Sequence, residues 1–413
     1  MTHTATGRRL SAILYGYAFL TDLVLLYPVY ALLFADSGLS VGQISVLFVI
    51  WSSTGIALEV PAGAWADATS RRRMLCLAPL CTAAGFALWT LVPSYPAFAI
   101  GFVCWGAGGA LTSGALEALV FDELDRVGAA DRYARVIGRA RTAGTVAVLG
   151  SILLAGPVLG FGGYLAVGLA SVAACLLAAA VAAGFPEHRR PTPAPADADE
   201  PGWWQGLRAG VGEARRDRRV RAAVLLVAVV TAIWGAVEEY TPLLARDTGV
   251  VSTTVPLLLL MLAAGQVAGG LLAPFGQRLR TRGYAVLLAA SAVALAGGAL
   301  LRHPAGFALL AGAACGLQLA AVLADARLQA RITGAARATV TSLAGMATDL
   351  ATIAVYVGFG VVATANGNAV AFAVAALPYL LVAGLLLVGG RSGGAVPARP
   401  ADPAAPPVTP SVG

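Results

Sequence analysis

Seven acidic side chains lie inside or at the ends of long apolar stretches of this sequence. They are Asp22, Glu59, Glu117, Glu238, Glu239, Asp325 and Asp349. If these stretches cross a lipid bilayer, each carboxylate must face a partner or a polar cavity, because hydrocarbon solvates charge poorly. Carboxylates in such places can take up and release protons. These residues therefore indicate a proton pathway through an apolar scaffold.

The candidates for proton coupling among them are Asp22, Glu117, Glu238 and Asp349. Asp22 lies about eleven residues into the first apolar stretch, which at about 1.5 Å per residue places it near the middle of a bilayer. Asp349 lies about ten residues into the eleventh apolar stretch, on a polar stripe formed at helical spacing by Gly345, Thr348, Thr352 and Tyr356. In the alternative interpretation, neighbouring hydroxyl groups satisfy each carboxylate and its role is structural. Helical geometry turns Glu239 about 100° away from Glu238, so we expect Glu239 at the membrane interface.

The composition identifies the scaffold. Over 413 residues the chain is 58% hydrophobic and 12% charged, with a mean hydropathy of +0.79, which is too apolar for a water-soluble fold. A helix needs about 20 mostly apolar residues to span a bilayer. Continuous stretches of this length predict an all-α integral membrane protein with twelve spans. We place these spans near 11–33, 42–61, 74–92, 97–120, 138–160, 164–185, 221–244, 253–275, 283–301, 304–323, 340–363 and 367–389.

Arginine predicts the orientation of the spans. All 28 basic residues are arginine, and all but Arg246 and Arg302 fall near the N-terminus, in alternate loops or in the C-terminal tail. Positively charged loops remain on the cytoplasmic side of a membrane. We therefore expect a multi-pass protein of the inner or plasma membrane with both termini in the cytoplasm. The same distribution accounts for the net charge of +7 without a nucleic-acid partner.

The predicted spans form two sets of six. The stretch PTPAPADADEPG separates the sets and has the composition of a linker. Residues 63–73 align without gaps on 270–280, which indicates the internal repeat of a transporter architecture. We expect an N-terminal six-helix bundle over 1–185, a cytoplasmic linker over 186–220, a C-terminal six-helix bundle over 221–390 and a disordered tail over 391–413.

Signatures of other chemistry are missing from the sequence. The five cysteines lie in or beside apolar stretches without metal-ligand spacing, and the three histidines lie outside the predicted spans. The sequence contains no Walker loop for nucleotide hydrolysis and no His-Glu-x-x-His motif. We expect no metal, no cofactor and no enzymatic activity.

The segment GAWADATSRRR, after the second predicted span, combines a glycine, an acid and three arginines. It resembles the loop signature of the major facilitator superfamily, a family of membrane transporters. The matching residues are Gly63, Asp67, Arg71 and Arg72. Ala68 and Ser70 depart from the family pattern. The resemblance implies the major facilitator fold, with twelve transmembrane helices in two six-helix bundles.

The charges of this segment predict a conformational latch. Arg71 can pair with Asp67 and with Asp122 at the end of the fourth predicted span. Such partly desolvated pairs can hold one arrangement of two bundles and release the other, and the family resemblance implies the same relay. In the alternative interpretation these residues only anchor the helices at the lipid headgroups.

The fifth predicted span contains GPVLG over 156–160, which resembles part of a motif of superfamily antiporters. Pro157 removes a backbone donor, and Gly156 and Gly160 permit a closely packed bend. The resemblance implies export, whereas an ordinary proline kink is the alternative. The arginine usual in the fourth span of the family is missing from GFVCWGAGGALTSGALEAL.

Aromatic residues in the spans are candidates for a substrate cavity, namely Tyr15, Trp105, Trp234 and Tyr356. Acidic groups outnumber basic ones in the spans, which favours neutral or cationic amphipathic organic molecules. With the resemblance, this predicts a proton-coupled antiporter that exports such molecules by alternating access, as a monomer in membrane lipid. A proton-coupled uptake symporter for a small metabolite and a non-transporting receptor or scaffold are the alternatives.

Overall fold

A computed structural model describes residues 2–188, 218–332 and 337–392. Helices make up most of these three segments, and the described residues contain no strand. Most of the predicted linker and nearly all of the predicted disordered tail fall on 189–217 and 393–413, which lie outside the described residues.

The helices of the described residues group into twelve spans, named α1 to α12, in the predicted order. Nine helices among the described residues are long and apolar enough to cross a membrane, and one of them contains both α5 and α6. Helix α8 is shorter, and the two-part α1 is not among the nine. The spans are α1 (Thr2–Asp22 and Tyr30–Asp36), α2 (Val41–Ala68), α3 (Arg71–Leu91), α4 (Tyr95–Thr112 and Ala115–Arg126), α5 and α6 (the two parts of Tyr133–Ala182), α7 (Arg218–Val237, Glu238–Tyr240 and Thr241–Asp247), α8 (Val255–Leu271), α9 (Thr281–Leu300), α10 (Gly306–Gln329), α11 (Arg337–Asn366) and α12 (Asn368–Ser392).

The ends of several helices follow from local sequence chemistry. Ser40 begins α2 with a capping box, in which its hydroxyl oxygen accepts a bond from the Gln43 backbone N–H and its own N–H donates to the Gln43 side chain. Ser70 caps α3 by accepting from the Arg73 N–H at 3.2 Å. The turn between α5 and α6 lies at Gly162 and Gly163, and Gly163 has a φ of 63°, which favours glycine.

Two predicted spans contain residues that belong to no helix. The first was expected to run unbroken over 11–33, but α1 stops at Asp22 and resumes at Tyr30. The fourth is broken between Thr112 and Ala115, where Gly114 has a φ of 73°. Hydropathy does not reveal the first interruption, because the residues between the two parts of α1 are themselves mostly apolar.

Helices α1 to α6, the N-terminal half, and α7 to α12, the C-terminal half, use the same packing device at equivalent crossings. The backbones of Gly85 in α3 and Gly101 in α4 touch, and those of Gly298 in α9 and Gly306 in α10 do the same. Small residues allow membrane helices to approach closely. The halves meet each other through α2 against α11 and α5 against α8.

Candidate functional site

The first helix of each half is interrupted beside carboxylates. In the N-terminal half α1 breaks directly after Asp22, and in the C-terminal half α7 passes through a 3₁₀ turn that begins with Glu238 and Glu239. Interrupted helices at corresponding positions of two repeats mark substrate and ion sites in secondary transporters. These two breaks therefore locate the candidate site.

A cavity of about 500 Å³, the central cavity, lies between the two halves. Its walls come from α2, α4, α7 and α11. The carboxylates around it are Glu59, Glu238, Glu239 and Asp349, and its aromatic walls are Trp51, Trp105 and Tyr356. Among the described residues that line it, none is Arg, Lys or His. The cavity is thus acidic and aromatic.

The four carboxylates occupy two depths. Glu238 lies about 13 Å along α7 from the end at Asp247, whereas Glu59 and Asp349 lie about 26 Å from the corresponding ends of α2 and α11. Both Glu59 and Asp349 are exposed and lie near enough to interact electrostatically. Glu238 and Glu239 therefore lie at the deep end of the cavity, with Glu59 and Asp349 nearer its mouth.

The deep pair is held by hydrogen bonds. The Gln266 side chain of α8 donates to Glu238 Oε2 at 2.6 Å. Tyr30 of α1 donates its hydroxyl proton to the carboxylate of Glu239, which links the two halves. The expectation that Glu239 lies at the membrane interface is therefore wrong. Neighbouring side chains in the 3₁₀ turn point about 120° apart, so Glu238 and Glu239 bind partners on different helices, and both line the same cavity.

Polar contacts close the side of the molecule away from the arginine-rich loops, here called the opposite side. Ser45 and Tyr240 share a buried hydrogen bond of 2.7 Å between the halves. Arg246 Nη1 pairs with Asp36 Oδ1 at 2.8 Å, and Tyr164 donates to the other oxygen of Asp36 at 2.6 Å. The central cavity consequently opens toward the arginine-rich side.

A second cavity of about 470 Å³, the Asp22 cavity, lies inside the N-terminal half. Thr21, Thr82 and Thr112 contribute hydroxyl groups to its wall. The carboxylate of Asp22 makes no hydrogen bond or ion pair with a described residue and lies so close to Gly144 of α5 that a Cβ there would overlap it. Among the described residues Asp22 is thus an acid without a partner, and it lies in a cavity with a partly polar wall.

Glu117 lies in the wall of the Asp22 cavity near its exposed end. Arg141 of α5 pairs with it at 3.4 Å, and both side chains are more than half exposed. Of the four candidates for proton coupling, Glu238 and Asp349 line the central cavity, whereas Asp22 and Glu117 line the other. The structure therefore brings the candidates together as two pairs.

Trp105 stands between the two cavities and lines both. Its ring stacks on Trp51 with 4.6 Å between centroids and on Tyr27 with 5.4 Å. The three rings form an aromatic wall, which separates Asp22 from the central cavity. Tyr356, a second predicted cavity residue, lines the central cavity, while Trp234 is buried in the core and Tyr15 lines neither cavity.

The predicted latch residues lie at the arginine-rich end of α2, α3 and α4. Arg71 Nη1 pairs with Asp122 Oδ2 at 2.5 Å. This pair joins two helices of the N-terminal half, not the two halves to each other. Glu187, which the sequence did not indicate, accepts bonds from the Ser70 hydroxyl and, at 2.7 Å, from the Arg71 backbone N–H.

Three other members of that signature complete this region. Gly63 lies in the last part of α2, and Arg72 is exposed in the first turn of α3. Asp67 belongs to α2 by its backbone, but its side chain lies outside the part of the chain that the structure describes. A pairing of Asp67 with Arg71 stays a prediction.

The glycine-proline element of α5 lies where the halves touch on the opposite side. The Gly156 backbone packs on the Thr253 carbonyl oxygen, and Gly160 packs on the Thr253 methyl group. The residues of non-helical backbone are Gly162 and Gly163, whereas Pro157 lies within the helix. Gly156 and Gly160 therefore allow α5 of one half to approach α8 of the other closely.

The partners of the candidate acids were not identified from the sequence. Tyr30, Gln266 and Arg141 come from other helices than the carboxylates they bind. Only the helix packing selects them among many hydroxyl, amide and guanidinium groups. Trp51 could have been predicted from the sequence to line the same cavity as Glu59, because it lies two turns before Glu59 on the same helix.

Comparison with known proteins agrees with this architecture. The sequence profile of the Major Facilitator Superfamily matches residues 12–355. No protein matched in a search of curated sequences. Similar solved structures include the nucleoside transporter NupG, at 12% identity with a TM-score of 0.74, covering 94% of this chain and 99% of that one.

Two further solved structures show the same fold. A bacterial homolog of the human lysosomal transporter Spinster, in an inward-facing and occupied conformation, is 15% identical with a TM-score of 0.71, covering 94% of this chain and 97% of that one. A D-xylose-proton symporter is 16% identical with a TM-score of 0.65, covering 92% and 96%. At these identities the likeness concerns the fold alone.

The fold and the central cavity define a multi-pass membrane transporter of small molecules rather than an enzyme. The chain belongs to the major facilitator superfamily.

Proposed function

We propose that the chain is a proton-coupled antiporter that exports small amphipathic organic cations by alternating access. The observation that carries this proposal is the central cavity, with four carboxylates, three aromatic rings and no basic residue among its described lining. Such a lining attracts positive charge and repels carboxylates and phosphates. Aromatic faces bind organic cations through their quadrupoles.

Charge balance supports the coupling of protons to a cation. The deep pair, Glu238 and Glu239, offers two sites that either protons or a bound cation can neutralise. A cation and protons that compete for the same carboxylates are carried in opposite directions. Export of the cation against inward movement of protons follows from this competition.

Asp22 has a different part in this proposal. Its cavity holds about 470 Å³ but is separated from the substrate by the stacked rings of Trp51, Trp105 and Tyr27. A proton on Asp22 removes the charge of an unpartnered carboxylate packed against α5, and this favours a different packing of α1 on α5. Asp22 thus responds to protons without contacting the substrate.

The described conformation is one end of the transport cycle. The hydrogen bonds Tyr30–Glu239 and Ser45–Tyr240 hold the opposite side shut. Protonation or cation binding at Glu239 changes the first of them, because the hydroxyl of Tyr30 then loses a charged acceptor. We assign the arginine-rich side, with both termini, to the cytoplasm on the distribution of arginine.

Flux in proteoliposomes tests the proposal. The full chain is reconstituted, a pH gradient of either sign is imposed, and accumulation of the organic cation tetraphenylphosphonium is measured. We expect accumulation in the compartment from which protons leave. Asp22→Asn should abolish accumulation while leaving binding of the cation intact, and Glu238→Gln should weaken binding itself.

The matched control is Asp125→Asn, because Asp125 is an exposed carboxylate of α4 that lines neither cavity. It should transport like the wild-type chain. Accumulation on the side that protons enter would establish the uptake symporter instead. Binding without gradient-dependent flux in the wild-type chain would establish the receptor.

A further inference from the structure

A third cleft, of about 640 Å³, lies on the outer surface of the N-terminal half at its arginine-rich end. We call it the arginine cleft. The end of α2, the first turns of α3 and the residue after α6 form its walls. The side chains that define it are Trp65, Arg72, Arg73, Leu77 and Leu80. It shares no lining residue with the central cavity or with the Asp22 cavity.

The two arginines of this cleft form no ion pair with a described residue. Arg72 and Arg73 are exposed and make no hydrogen bond or ion pair through their side chains with a described residue. The neighbouring acids whose side chains are described are engaged elsewhere, since Asp122 pairs with Arg71 and Glu187 binds the start of α3. Among the described side chains, no acid therefore neutralises the two adjacent guanidinium groups that face the cleft.

The apolar part of the cleft continues directly from these charges. Arg73, Leu77 and Leu80 follow one another at the i, i+4, i+7 spacing that places them on one face of α3. Leu77 is 36% and Leu80 42% exposed, and Trp65 at the rim is 47% exposed. Along about 10 Å of helix the surface thus changes from cationic to apolar, with an amphipathic ring at its edge.

We propose that the arginine cleft binds an anionic phospholipid. The phosphate lies between the guanidinium groups of Arg72 and Arg73. A planar guanidinium group can donate two parallel hydrogen bonds to phosphate oxygens. An acyl chain follows Leu77 and Leu80, and Trp65 covers the glycerol region, where indole rings are favoured. A free phosphate would use only the two arginines, so the leucine face identifies the ligand as a lipid.

Native mass spectrometry of the purified full chain tests this assignment. The protein in detergent is mixed with phosphatidylglycerol or with phosphatidylcholine, and retained lipid is counted against lipid concentration. We expect the wild-type chain to retain one phosphatidylglycerol in preference to phosphatidylcholine. Arg72→Gln/Arg73→Gln should weaken that binding by about 25-fold, since each cation near a headgroup contributes about fivefold.

The matched control is Arg278→Gln/Arg280→Gln. These exposed arginines occupy the corresponding loop of the C-terminal half, remove the same charge and do not line the cleft. The control should bind like wild type. Equal losses in both double variants, or none in either, would overturn the proposal, because binding would then reflect general charge or another site.

Two further measurements distinguish the binding of a lipid from the binding of a free anion. Leu77→Gln/Leu80→Gln should reduce lipid retention while both arginines remain. Inorganic phosphate, added at the lipid concentration, should fail to displace phosphatidylglycerol. Unchanged lipid retention in Leu77→Gln/Leu80→Gln, or displacement of the lipid by phosphate, would contradict the proposal. Either result would show that the cleft binds anions in general.

Discussion

The carboxylate of Asp22 lies directly against the backbone of α5, and one methyl group can test this contact. A Cβ atom built on Gly144 would overlap Asp22 Oδ2, whereas a Cβ on Gly138, earlier in the same helix, would meet nothing within 4 Å. Gly144→Ala therefore forces Asp22 out of its place. Gly138→Ala is the matched control, because it makes the same chemical change without the overlap.

The expected free-energy changes have opposite signs. Overpacking costs about 1–3 kcal/mol, while alanine gains up to about 1 kcal/mol over glycine in a helix. Gly144→Ala should therefore lower the free energy of unfolding by up to about 2 kcal/mol, and Gly138→Ala should raise it by up to about 1 kcal/mol. If Asp22 couples protons, its displacement should also reduce uphill export to about a tenth or less.

Apparent melting temperature in detergent and gradient-driven export in proteoliposomes measure the two effects. The double variant Gly144→Ala/Asp22→Ala removes the overlap, so its stability should return to that of Asp22→Ala alone while export stays absent. Equal melting temperatures and equal export in Gly144→Ala and Gly138→Ala would refute the packing of Asp22 on α5.

Three further predictions concern orientation, the latch and closure. With native cysteines removed, Thr248→Cys should react with an impermeant thiol reagent from outside intact cells, and Ser70→Cys should not. Arg71→Ala should reduce transport with a stability loss of about 1 kcal/mol, because Asp122, its partner in the ion pair, is 63% exposed. Arg246→Gln should weaken closure of the opposite side by up to about fivefold, seen as faster labelling of Ser52→Cys in the central cavity from that side.

Each of these predictions has its own control. Labelling of Ser70→Cys from outside would reverse the assigned orientation. The control for Arg71→Ala is Arg278→Ala, which removes an arginine from the corresponding loop of the other half. Equal transport in these two variants would indicate that Arg71 only anchors its helix at the lipid headgroups. Arg302→Gln removes the other arginine of the opposite side. If it accelerates labelling of Ser52→Cys as much as Arg246→Gln does, the ion pair with Asp36 does not close the molecule.

Sequence periodicity and hydropathy predicted the fold because both are local. A run of about 20 apolar residues must be helical in a bilayer, since no water satisfies its backbone. Each predicted span has its helix in the structure, and glycines at 162 and 163 mark the turn between two of them. The break in α1 was missed, because the backbone N–H of Leu26 is satisfied by Ser171 in a distant helix.

The candidate site was predictable only in part. The cost of charge in hydrocarbon pointed to Asp22, Glu238 and Asp349 without knowledge of their surroundings. Their partners depended on contacts over long sequence separations, as with Tyr30 and Glu239. Aromatic residues gave still less information, since Trp105 and Trp234 look alike in sequence, yet one lines both cavities and the other is buried in the core.

The sequence by itself determined that this chain crosses the membrane many times, in two related halves, with acids at bilayer depth. These properties depend on the free energy of transferring each residue from water into the bilayer. Neighbouring residues change that free energy little. Only the tertiary structure decided that Asp22 and Glu238 belong to separate cavities, that Trp105 divides them, and that the opposite side is closed. Those properties depend on which faces of the helices meet, and hydropathy does not determine them, because several packings bury the same apolar residues.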